Sequence, residues 1–89
     1  MIVTVTRSGG FAGLTAHGEL DTSFQPDAAR LEAAVRALDQ GRLGSGLPQP
    51  DRFVYRVEVR DGGDARHLTV AEQDLDQTTA WLLERVLGS

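Results

Sequence analysis

Apolar and polar side chains alternate over residues 2–7, Ile-Val-Thr-Val-Thr-Arg, and most are β-branched, the pattern of a half-buried strand. Ser8-Gly9-Gly10 follows and supplies two residues that take positive φ without penalty, which suits a tight turn. The spacing then predicts a second strand over 11–19. Leu14, Ala16 and Gly18 share one face of it, and Thr15, His17 and Glu19 share the other. Phe11 has the parity of the polar face, unless a bulge at Gly13 returns it to the core. Residues 21–26 carry turn chemistry and end at Pro26, which suits the first position of a helix. Ala28, Leu31, Ala34, Val35 and Leu38 have helical spacing over 27–40, Asp27 falls in the first turn, and Gly41 supplies a stop.

Residues 41–51 break every period. With three glycines and two prolines they form the longest loop of the chain, and such a loop in a small domain is either mobile or functional. Alternation resumes over 52–60, where Phe53, Tyr55, Val57 and Val59 oppose Val54, Arg56, Glu58 and Arg60. Asp61-Gly62-Gly63-Asp64 is a hairpin turn, and 65–70 returns as a strand with Leu68 and Val70 inward. A last helix is expected to start near Asp74, with Gln77 completing a capping box. Its inner stripe is Leu75, Thr79, Leu82 and Val86, flanked by Leu83 and Leu87, and Gly88 follows the final turn.

The order is strand, strand, helix, taken twice. It predicts one α+β domain over 1–89, a ββαββα chain whose four-stranded, largely antiparallel sheet carries both helices on one face. The opposite face, with Thr4, Thr6, Thr15, His17, Arg56, Glu58 and His67, is left to solvent or to a partner. Pairing is antiparallel within each hairpin, and the pattern leaves open how the hairpins join.

Composition narrows the function classes. Eighty-nine residues hold one domain with a thin core. Without cysteine there is no disulfide, thiolate metal site or thiol nucleophile. Nine arginines against 13 acidic residues give a net charge of −4, and no basic patch suits nucleic acid. No apolar run of about 20 residues spans a membrane, and no signal-peptide pattern opens the sequence, so a cytoplasmic location is expected. His17 and His67, with Glu19 and Asp64 nearest in sequence, fall short of three converging ligands, so neither a metal nor another cofactor is expected. Ser8, Ser23 and Ser45 sit in no nucleophile elbow, and a single thin sheet offers no deep pocket, so no enzyme is expected. Ser8-Gly9-Gly10 joins two strands and lacks the Gly-Lys-Ser/Thr ending of a phosphate loop. Trp81 lies beside the inner stripe of the last helix, at the core edge or as a surface anchor.

Three blocks carry a resemblance. Arg7-Ser8-Gly9-Gly10-Phe11-Ala12-Gly13-Leu14, followed by Gly18-Glu19-Leu20-Asp21-Thr22, resembles the emfourin family of small bacterial proteins. Pro50-Asp51-Arg52-Phe53-Val54-Tyr55-Arg56-Val57-Glu58-Val59 and Leu82-Leu83-Glu84-Arg85-Val86-Leu87 are similar to it in the same order. The resemblance implies a proteinaceous inhibitor of thermolysin-like zinc metallopeptidases, in particular the protealysin-like subgroup, often encoded beside its protease. Thermolysin-like enzymes prefer a bulky apolar residue just after the scissile bond, and Gly10-Phe11 offers one on a hairpin tip. The expected protease-binding residues are therefore Arg7, Ser8, Gly9, Gly10 and Phe11, with Leu43 and Leu47 of the long loop beside them. The partner expected is that protease, met by a monomer. The other readings are a non-catalytic interaction module, pairing with another chain or dimerising through the open sheet face or an edge strand, and a small enzyme or ligand carrier.

Overall fold

The structure, a computed structural model, describes residues 1–9, 14–40, 53–72 and 75–88. Four strands, β1 (Ile2–Gly9), β2 (Leu14–Asp21), β3 (Phe53–Asp61) and β4 (Asp64–Ala71), form one sheet in the order β2-β1-β3-β4. Two helices, α1 (Ala28–Gln40) and α2 (Gln77–Leu87), complete the α+β fold expected. All three pairings are antiparallel, and β1 joins β3 in the middle, with Val5 opposite Val57 and Thr6 opposite Arg56.

The central strands are the two with the strongest alternation. Val3 and Val5 of β1 and Tyr55, Val57 and Val59 of β3 are buried against the helices. Their outward neighbours remain half-buried or exposed. The edge strands taper: β2 contributes Gly18 and Leu20 to the buried layer, and β4 contributes Val70. Arg66, which has the inward parity of Leu68 and Val70, stands exposed near the β3–β4 turn. A charged residue at that place discourages further strand pairing.

The helices close the core with the predicted stripes. Leu31, Ala34, Val35 and Leu38 of α1 and Leu82, Leu83 and Val86 of α2 are buried in one cluster with the inner sheet residues. Leu83 therefore belongs to the stripe itself and Leu75 is only partly buried. Gly18 explains how α2 lies so close to β2. A Cβ there would overlap the carbonyl oxygen of Val86 and come within 2.7 Å of the Leu87 Cα, so the last turn of α2 rests on bare backbone.

Helix starts differ from the expectation. α1 begins at Ala28, and Pro26 lies in the turn before it. Asp27 precedes the first turn, where its carbonyl accepts from the Leu31 N–H at 3.0 Å. α2 begins at Gln77, not near Asp74, and its cap is Asp76. The Asp76 carboxylate accepts from the Thr79 N–H at 2.7 Å, two residues later than a cap at Asp74 would require. Asp74 and the suggested bulge at Gly13 lie outside the described residues.

Candidate functional site

Of the expected binding residues, Arg7, Ser8 and Gly9 fall at one end of the sheet. Gly9, the last residue of β1, is paired with Leu14 on one side and with Phe53 on the other. Leu14 is the described residue that follows 10–13, and Phe53 is the one that follows 41–52. The β1–β2 connection and the end of the long loop are therefore attached to neighbouring strand ends. Ala71 of β4, opposite Val54, brings the exit of β4 to the same pole. Gly10, Phe11, Leu43 and Leu47 lie outside the described residues.

Three of the expected residues have defined surroundings. Arg7 has the inward parity of Val3 and Val5, and its guanidinium lies 4.7 Å from the centroid of the Phe53 ring. That stacking holds the arginine stem against the sheet end, where a cation over an aromatic face is favourable. Ser8 has the outward parity and pairs with Thr15 and Val54. Gly9 has φ 109°, outside the range that L side chains adopt, so the chain leaves β1 by a turn that needs glycine. Glu72 braces the neighbouring strand end by accepting from the Phe53 N–H at 3.3 Å.

Sequence reasoning passed over one residue at the opposite pole. Phe24 is 83% exposed, in a 3-10 turn (Thr22–Phe24) directly after β2. The turn around it is braced. Asp21 accepts from the Ser23 N–H at 3.0 Å and lies 3.8 Å from the N-terminal ammonium. Thr22 is fully buried, its N–H donates to the Met1 carbonyl at 2.9 Å, and its hydroxyl oxygen lies 2.9 Å from the acceptor Glu32 Oε2 and 3.2 Å from that carbonyl. Arg85 of α2 reaches Gln25 at 3.0 Å and Asp27 at 3.5 Å. A rigid frame thus presents one aromatic ring to solvent, and rigidity lowers the entropic cost of docking such a ring. The signal in the sequence was an aromatic residue inside a run of turn formers, Asp-Thr-Ser-Phe-Gln-Pro.

Trp81 proves to be an edge residue, half-buried, with the Arg30 guanidinium 4.3 Å from its ring centroid. The two side chains flank a crevice of about 480 Å³ between the helices. No group of three His, Asp or Glu residues among the described residues could hold a metal ion. Among those residues, too, no helix is long and apolar enough to cross a membrane.

Comparison with known proteins gives one match. A family model described as Emfourin matches residues 5–87. No curated protein and no solved structure matches the chain. The matched span runs from the middle of β1 to the end of α2 and so takes in both ββα units. The chain belongs to the emfourin family, whose members are protealysin-associated inhibitors of metallopeptidases and not enzymes.

Proposed function

We propose that this chain inhibits a thermolysin-like, protealysin-type zinc metallopeptidase by filling its active-site cleft with the β1–β2 tip. In this reading Phe11 occupies the apolar pocket that takes the residue after the scissile bond. Arg7, Ser8, Gly9 and Gly10 position it, and Leu43 and Leu47 add apolar contact. The observation that supports the placement is the pairing of Gly9 with both Leu14 and Phe53, which makes neighbours of the strand ends that flank residues 10–13 and follow residues 41–52. A frame of paired strands suits the task, because a pre-organised tip loses little conformational entropy on binding. A cytoplasmic inhibitor encoded beside its protease would protect the producing cell from its own enzyme.

The test is the inhibition constant of Phe11→Ala and of a variant with residues 41–51 shortened. Each is expected to inhibit at least tenfold more weakly than the parent chain, since a buried aromatic anchor contributes roughly 2 kcal/mol or more. Unchanged inhibition by both variants would overturn this placement.

A second placement is favoured by the exposure of Phe24 on its braced turn. It puts the opposite pole of the sheet in the cleft, roughly 24 Å away by the length of the eight-residue β1. Phe24→Ala would then weaken inhibition and Phe11→Ala would leave it unchanged.

A further inference from the structure

The helix-free face of the sheet has an order that the pairing makes explicit. Reading across β2, β1, β3 and β4, one row is His17, Thr6, Arg56 and Thr69. The next row is Glu19, Thr4, Glu58 and His67. The first row carries the positive charge of Arg56 and the second the negative charges of Glu19 and Glu58. Glu58 lies 3.4 Å from Arg60 and 3.7 Å from His67, and Glu19 lies 3.8 Å from Arg60. Arg56, by contrast, is exposed and has neither an ion pair nor a hydrogen bond among the described residues. Thr6 and His17 are joined by a 3.1 Å hydrogen bond. The short threonines of β1 leave a hollow of about 250 Å³ beside Arg56 and Glu58.

We infer that this face binds a second copy of the chain, sheet against sheet, about a two-fold axis that runs across the strands between the two rows. That operation sets each row on the other row of the partner copy. Arg56 then faces Glu58 of the second copy and His17 faces its Glu19, and each contact occurs twice because a two-fold interface is isologous. Thr4 and Thr6 face one another across the axis, and Thr6 keeps its hydrogen bond to His17. Moving the axis onto either row instead opposes like charges at β3, Arg56 on Arg56 or Glu58 on Glu58. Sheets stacked in this way lie about 10 Å apart with their strands roughly 30° from aligned, a spacing that long side chains from both copies fill.

The size of the face sets the strength. Four strands about 4.8 Å apart and roughly 26 Å long offer about 500 Å² per copy, so the pair buries about 1,000 Å², the range of weak and reversible complexes. The interface is polar, and its charges lose water on contact, which offsets part of their attraction. A dimer that forms at high micromolar concentration and weakens with added salt is the expected outcome. The two β1–β2 tips would point to opposite ends of such a dimer, leaving both free, so its existence is independent of the inhibition reading.

Sedimentation equilibrium of the full chain at low ionic strength, from about ten micromolar to about one millimolar, measures this directly. The average mass is expected to rise from 9.6 kDa towards twice that value. Arg56→Glu and Glu58→Arg should each remove association, because each opposes like charges across the axis. An equimolar mixture of the two variants should associate again, since one then presents only glutamates and the other only arginines at these positions. Arg56 is exposed and Glu58 part-exposed, and circular dichroism would confirm the unchanged fold of each variant. A constant mass of 9.6 kDa up to one millimolar would overturn the inference, as would two variants that associate like the parent or a mixture that stays monomeric.

Discussion

Replacing Gly18 by alanine tests the closest approach in the fold. On an unobstructed strand the change would stabilise the protein by about 0.4–1 kcal/mol, because alanine restricts the unfolded chain. Here the new methyl overlaps the Val86 carbonyl oxygen and lies 2.7 Å from the Leu87 Cα and 2.9 Å from the Val86 carbonyl carbon. All three atoms are backbone, so no side chain can swing aside. Either β2 or the last turn of α2 must retreat by about 1 Å to restore ordinary van der Waals separation. Leu82, Leu83 and Val86 of that helix are each at most 1% exposed, so the retreat loosens contacts across the whole core. Overpacking of this kind costs about 3 kcal/mol. A domain of this length has only about 4–13 kcal/mol of stability in total. For a 60–100-residue domain each kcal/mol moves Tm by about 4–8 °C, so Gly18→Ala should lower Tm by roughly 12–24 °C. Thermal unfolding followed by circular dichroism reads this, with Gly63→Ala as control, because a Cβ at Gly63 meets nothing within 4 Å. A Gly18→Ala variant that melts within about 4 °C of the parent would refute the reasoning, since that corresponds to less than about 1 kcal/mol.

Thr22→Val keeps the shape of a fully buried side chain but removes the donor to Glu32 and to the Met1 carbonyl. Urea unfolding should show a loss of about 1.5–3 kcal/mol, the value of a hydrogen bond to a charged acceptor, because the Met1 carbonyl keeps the Thr22 N–H. At the start of α2, hydrogen bonds from the Thr79 hydroxyl and N–H hold the Asp76 carboxyl below its usual pKa. The cap's contribution is then complete above the unfolded-state value and is lost as pH falls through the depressed folded value. An Asp76→Asn variant should therefore show a smaller loss of stability than the parent on acidification from pH 5 to pH 2, measured by thermal melts at each pH. Phe24→Ala should leave stability within about 0.5 kcal/mol, as befits a side chain in solvent, so that any loss of inhibition by this variant reports contact with the protease.

Much of this fold was legible in the chain, because its elements announce themselves by period. Val3 and Val5 alternate with threonines, and Tyr55, Val57 and Val59 alternate with charged residues, so the inward face of each central strand was fixed by parity alone. Leu31, Val35 and Leu38 did the same for α1. Strand order was not legible, since nothing local states that β1 and β3 are partners. That choice follows from which two strands have the most apolar surface to hide beneath the helices. The cap of α2 was misplaced for a related reason. Asp74 and Asp76 are equally good caps in isolation, and the point at which the chain leaves β4 selects the later one. Gly18 was placed on the inward face, but its purpose lay in the far end of the chain, at Val86 and Leu87.

The candidate site was legible in part. The family resemblance, drawn from Arg7 to Thr22, Pro50 to Val59 and Leu82 to Leu87, proved sound over residues 5–87. That the strand ends flanking residues 10–13 and the end of the long loop are neighbours follows from the pairing of Gly9 with Leu14 and Phe53, and the pairing with Phe53 is encoded by no local pattern. Phe24 escaped notice because turn residues were read only for backbone chemistry. Its exposure is settled by the bracing of Asp21, Thr22 and Gln25, which spans up to 60 positions of sequence.

The most direct test of inhibition is to titrate the purified full chain into a protealysin-like metallopeptidase and follow hydrolysis of a peptide substrate. The account predicts stoichiometric or competitive loss of activity at micromolar or lower concentrations of the chain. Undiminished hydrolysis at micromolar concentrations, across several thermolysin-like enzymes, would contradict it.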